Sequence, residues 1–122
     1  MRLVGFLCVA ILFTTAFQCE TTPVVVPEGS EQSSNCARNK EWFISILSGL
    51  KNNADVKSEV IRYTYHGQTV YYIDSCKGCA DSMALVYTCS GEVICQFGGI
   101  AGFNTCPDFA DFATDKKIIW QN

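Results

Sequence analysis

Cys76-Lys77-Gly78-Cys79 is the stretch of this chain best equipped for covalent chemistry. Two thiols two residues apart can exchange disulfides once one is held as a thiolate, and a lysine between them favours that form. Such pairs ordinarily sit where a strand runs into a helix within a βαβ unit. Here the pair follows an antiparallel hairpin pattern, so thiol-disulfide oxidoreductase activity is the lesser reading. The favoured reading is structural, with Cys76 and Cys79 in separate disulfides. Cys76, Cys79, Cys89 and Cys95 also offer four sulfurs to a zinc ion. Structural zinc sites often use two C-x2-C knuckles, and this chain has one, so no metal or other cofactor is expected.

The remaining candidates are weaker. His66 is the single histidine of the chain. A role as general base needs a nucleophile and an orienting acid beside it, and its place before Gly67 reads more simply as a tight turn. Asp81, Asp108, Asp111 and Asp115, with Asn104, are the kind of oxygen donors calcium takes. Their irregular spacing suits turn caps better than a binding loop. Tyr63, Tyr65, Tyr71 and Tyr72, with Phe97 and Phe103, offer an aromatic surface for a glycan or a peptide. Strand alternation instead predicts that Tyr63, Tyr65 and Tyr71 cover a helix and that Tyr72 faces outward. No catalytic set emerges, and the chain reads as a non-enzyme.

The cysteines also carry information about location. Residues 1–19 have the form of a signal peptide: Arg2 is followed by an apolar run from Leu3 to Phe17, too short for a comfortable membrane span. Cleavage near Thr14-Thr15-Ala16 would leave seven cysteines and a secreted protein. Lipidation of Cys19, despite Gln18 in place of a small residue before it, would leave Cys36, Cys76, Cys79, Cys89, Cys95 and Cys106. Six is an even number and allows three disulfides in 15 connectivities. That arithmetic favours an exported lipoprotein of the cell envelope, attached to the outer membrane through Cys19. A net charge of −3 with scattered basic residues argues against a nucleic-acid partner.

These residues need a scaffold. Residues 20–35, with Pro23, Pro27 and a polar end, read as a flexible tether. Residues 36–122 then form one small cysteine-rich domain. A helix is predicted over Cys36 to Leu50, because Trp42, Phe43, Ile46, Leu47 and Leu50 share one face; Asn35 or Asn39 is the expected cap. Val56 to Tyr65 and Gln68 to Ile73 form a hairpin around His66-Gly67. Ala84 to Cys89 and Glu92 to Phe97 form another around Ser90-Gly91. Gly98 to Phe109 is a loop, and Lys117 to Trp120 a short last strand. The fold class is α+β: an N-terminal helix on a four- or five-stranded antiparallel meander, with a disulfide-tied C-terminal loop.

From the helix onward the chain resembles DUF 6970, an uncharacterised family of small bacterial lipoproteins of the Bacteroidetes type. The residues that carry the resemblance are the Ile61–Tyr72 hairpin, Cys79 with Asp81, Val86-Tyr87, Gly91, Ile94-Cys95 and Gly98-Gly99. Gly102, Cys106-Pro107-Asp108-Phe109 and Ile119-Trp120 complete it. Two departures stand out. The family's adjacent cysteines are here split by Lys77-Gly78, and its Asp- and Gly-rich loop is here Ile100-Ala101-Gly102-Phe103-Asn104-Thr105. The resemblance implies a fold and an envelope location but no activity. The expected role is a non-catalytic binding or structural module with an unknown protein or glycan partner. The rival is a freely secreted, disulfide-rich inhibitor or binder.

Overall fold

The computed structural model describes residues 35–122. The signal peptide, Cys19 and all of the tether but Asn35 lie outside the described residues.

The first helix, α1, runs over Glu41–Asn52 and starts later than the apolar periodicity predicts. Residues 35–39 form tight turns instead, with the Arg38 amide bonded to the Asn35 carbonyl and the Lys40 amide to Ala37. Two tethers hold this segment against the sheet. Cys36 is disulfide-bonded to Cys89, and the Ala37 N–H donates to the Tyr71 hydroxyl at 3.3 Å. Lys40 then takes the N-cap position with an extended backbone, so neither Asn35 nor Asn39 caps the helix, and no side chain does. The apolar face is the expected one: Phe43 and Leu50 are buried, and Trp42, Ile46 and Leu47 pack beside them.

Six strands follow: β1 (Glu59–Tyr65), β2 (Gln68–Asp74), β3 (Met83–Thr88), β4 (Val93–Gly98), β5 (Phe103–Asn104) and β6 (Thr114–Gln121). Their order across the sheet is β5-β4-β3-β2-β1-β6, and every neighbouring pair is antiparallel. A helix leading into an antiparallel sheet is the expected arrangement, with the balance well towards strand. Two features exceed the expectation. The Gly98–Phe109 loop contains the short β5, and the last strand begins at Thr114 rather than Lys117.

The chain meanders from β1 to β5 and then has to return past four strands to pair β6 with β1. Residues 105–113, including the single helical turn α2 (Phe109–Phe112), make that crossing. The sheet is therefore covered on both faces. On one lie α1 and a core of Phe43, Leu50, Val60, Tyr71 and Ile73. On the other lies the crossing, with Phe109 against Tyr65, Val70, Val86 and Cys95.

The β1–β2 turn determines which tyrosines face which core. His66 and Gly67 both have positive φ, 47° and 75°, as a two-residue hairpin turn of the primed kind requires. Tyr65 then pairs with Gln68, Tyr63 with Val70 and Arg62 with Tyr71. Opposed residues share a face, so an odd-numbered residue of β1 lies with an even-numbered residue of β2. Of the four tyrosines on β1 and β2, Tyr71 alone reaches the helix, while Tyr63 and Tyr65 join Tyr72 on the opposite face. This corrects the expectation that Tyr63, Tyr65 and Tyr71 act together.

At the chain end, the Asn122 side chain accepts from the Ser58 amide at 2.7 Å and donates to the Val56 carbonyl at 2.9 Å. The approach to β1 is thereby pinned. No helix among the described residues is long and apolar enough to cross a membrane.

Candidate functional site

The six cysteines of the domain form three disulfides: Cys36–Cys89, Cys76–Cys79 and Cys95–Cys106. The first ties the start of the domain to the β3–β4 turn, and the third ties the crossing to β4. The second corrects the sequence reading, because Cys76 and Cys79 are joined to each other and not to separate partners. The reason is local: after β2 ends, the chain makes a turn in which the Cys79 amide bonds to the Cys76 carbonyl at 3.0 Å, with Gly78 at φ 87°. That turn brings the two Cα atoms to 5.5 Å, within ordinary bridging distance. Cys79 is exposed and Cys76 half-buried. Lys77 points its ammonium away to Glu59 at 2.7 Å, and this bond raises the lysine pKa. The four sulfurs weighed as a zinc set are divided among the three disulfides.

The Cys106-Pro107-Asp108-Phe109 run anchors the crossing at three points. Cys106 is bonded to β4, and Phe109 fills the second core. Between them, Asp108 accepts a hydrogen bond from the Tyr65 hydroxyl at 2.9 Å, and its other oxygen lies 3.0 Å from His66 Nε2. These contacts, the Tyr65 bond first, hold the Asp108 carboxyl below its ordinary pKa. Burial, then the bond to Asp108, raises that of Tyr65. His66 is a turn residue as expected, and it is also a partner of Asp108. Nothing in the local sequence around either residue signals this link across 42 positions. No group of three or more His, Cys, Asp or Glu side chains that could hold a metal ion occurs among the described residues, so Asp81, Asp108, Asp111 and Asp115 form no such cluster.

The second face also carries an aromatic shelf. Phe109 lies 5.4 Å from Tyr63 and 5.4 Å from Phe97, between ring centroids, and Tyr72 sits 6.5 Å from Tyr63 and 6.3 Å from Phe97. Phe109 is buried, whereas Tyr63, Tyr72 and Phe97 are only partly covered. Phe103, expected in the same surface, stands on the edge strand β5, about half exposed, and contacts none of these rings. Tyr72 is pushed up to about 12, by burial first and then by the charges of Asp74, Glu59 and Tyr63. Tyr63 is raised as well, by burial and then by Glu59. Both phenols therefore remain neutral hydrogen-bonding groups at any physiological pH. Flat apolar rings, neutral hydroxyls and nearby carboxylates suit the recognition of a ligand with alternating apolar and hydroxylated edges.

Fold and site together define a small disulfide-tied domain, one helix on a six-stranded antiparallel sheet with a clasped crossing opposite. The chain belongs to the DUF6970 family, a domain of unknown function, whose family model matches residues 48–122. No curated protein and no solved structure matches the chain. The matched span takes in every strand and the Cys-Pro-Asp-Phe clasp, but it begins within α1.

Proposed function

We propose that this protein is an exported, non-catalytic binding module of the cell envelope, held at the outer membrane by a lipid on Cys19. Its partner is a glycan, which stacks on Tyr63, Tyr72 and Phe97. The half-covered aromatic shelf carries this reading: three rings remain partly open to solvent although the crossing was available to cover them. Three disulfides in one small domain support an oxidising compartment, and the signal-like N-terminus and even cysteine number support the anchor.

The test is retention of the purified protein on immobilised envelope polysaccharide, compared with its Tyr72→Ala and Phe97→Ala variants. Loss of retention in both variants, with thermal unfolding still cooperative, supports the shelf. Retention equal to that of the parent overturns it. Substitution Cys19→Ser should release the protein from the membrane fraction; a mature N-terminus near Phe17 without lipid would point to the secreted binder instead.

A second reading has one observation in its favour, the pairing of Cys76 with Cys79 in an exposed turn. A partner thiolate attacking Cys79 Sγ would form a mixed disulfide and release Cys76 as thiolate. A second partner thiol would complete the exchange, leaving the partner oxidised by two electrons and this pair reduced. Catalytic oxidation of a dithiol substrate that is abolished by Cys79→Ser would establish that reading over the non-catalytic one.

A further inference from the structure

On the helix side of the sheet, a cleft with a cavity of about 330 Å³ opens between α1 and β6. Leu47 of α1, Tyr71 of β2 and Trp120 of β6 contribute its apolar wall. Arg38, Lys51 and Lys117 stand among its lining residues, and no carboxylate does. The three cations come from three separate places: the turn before α1, the last turn of α1, and the β6 strand. All three are exposed, and none forms an ion pair among the described residues, where the two ion pairs are His66–Asp108 and Lys77–Glu59. Lys51 has a local reason to be there, since a cation in the last turn complements the carbonyl end of a helix. Arg38 and Lys117 have no such reason. A rim of one sign around an apolar wall, in a chain of net charge −3, is a concentration of charge and not a scatter.

We propose that this cleft binds a small amphipathic organic acid, an aryl or alkyl body carrying one anionic head. The body would lie against Leu47, Tyr71 and Trp120 and the head would reach the Arg38, Lys51 and Lys117 rim. Each half accounts for what the other cannot. Exposed cations alone attract anions weakly and are screened by salt, while an apolar wall alone has no preference for charge. The cavity is at the small end of ordinary ligand pockets, which run to roughly 300–1,000 Å³, so the ligand is a small molecule and not a polymer. The cleft lies on the opposite face from the aromatic shelf, and this proposal stands whether or not the shelf binds a glycan.

One competing occupant belongs to the chain itself. Asn35 lines the cleft, and residues 20–34 immediately before it carry Glu20, Glu28 and Glu31 but no lysine or arginine. The experiment is calorimetric titration of the protein, purified as its host processes it, with naphthoate and with the neutral naphthalenemethanol. The proposal expects saturable one-to-one naphthoate binding, at least about tenfold tighter than the neutral probe. In the triple variant Arg38→Gln, Lys51→Gln, Lys117→Gln, naphthoate should lose at least about tenfold while the neutral probe is unchanged. Trp120→Ala should weaken both probes. Equal affinity for the two probes overturns the proposal, as does naphthoate binding indifferent to the triple substitution, or no saturable binding. Binding gained only on Glu20→Gln, Glu28→Gln, Glu31→Gln also overturns it, and assigns the cleft to the chain's own N-terminal segment.

Discussion

Gly91 lies directly beneath Trp42: a β-carbon on Gly91 would stand 2.7 Å from the indole Cγ. The indole is fixed in that position by other contacts. It stacks on Tyr87 at 5.3 Å between centroids, and its N–H donates to the Cys89 carbonyl at 3.4 Å. Gly91 also has φ 92°, in the left-handed half of backbone space. Gly91→Ala therefore meets both backbone strain and a ring that cannot easily yield. Gly67, at φ 75° with open space around it, isolates the backbone part. Gly67→Ala is expected to cost about 1–2 kcal/mol in urea unfolding, and Gly91→Ala clearly more.

The three disulfides should differ in their contribution to stability. Cys36–Cys89 spans 53 positions, Cys95–Cys106 spans 11, and Cys76–Cys79 spans 3. On the chain-entropy account, replacing both cysteines by serine costs about 4 kcal/mol for the first and about 2 kcal/mol for the last. Denaturant unfolding of the two double variants gives the comparison. Because Cys79 is exposed, mass spectrometry after graded reduction and alkylation should find Cys76 and Cys79 labelled before the other four.

Tyr71 joins the helix core to the start of the domain. Its ring lies among Phe43 and Trp42, and its hydroxyl accepts the buried Ala37 N–H. Tyr71→Phe keeps the ring and leaves that amide without its partner. The expected loss is about 1–3 kcal/mol in unfolding free energy, with faster hydrogen exchange at Ala37 while amides in β3 and β4 change little.

Stability should fall at both extremes of pH. Asp108 has a lowered pKa in the folded state, so its contribution is present above the unfolded value near 3.9 and is lost as pH falls through the folded value. Asp108→Asn should weaken the protein at neutral pH and flatten the acid limb of its stability curve. Tyr72 has the opposite sign. Its folded pKa of about 12 exceeds the unfolded value near 10, so its contribution is intact below pH 10 and is lost as pH rises through the folded value. Tyrosinate absorbance followed with near-UV circular dichroism should show a late-ionising phenol that Tyr72→Phe removes.

Much of the fold was legible because it is encoded locally. The apolar face of α1 follows from spacing, and the His66-Gly67 and Ser90-Gly91 turns follow from residue type. The misplaced tyrosines were nearly legible too. Once a two-residue turn is accepted, pairing parity sends Tyr63 and Tyr71 to opposite faces, a constraint that neither strand's own alternation contains. The start of α1 was less accessible. The apolar periodicity permits a helix from Cys36, and what ends it at Lys40 is a bond to Cys89 and a hydrogen bond to Tyr71, both distant in sequence.

The candidate sites divide along the same line. The amino-acid sequence by itself determined that six cysteines lie in the domain, that its strands are antiparallel, and that the chain has a single histidine, because these depend on composition and short-range pattern. Only the tertiary structure decided that Cys76 pairs with Cys79, that Asp108 joins Tyr65 and His66, and that Arg38, Lys51 and Lys117 surround one cleft. The first depends on the turn that follows β2; the other two depend on β6 returning past β1. The return carries the crossing over the second face and places the last strand beside α1, and no local preference of the residues involved specifies that path.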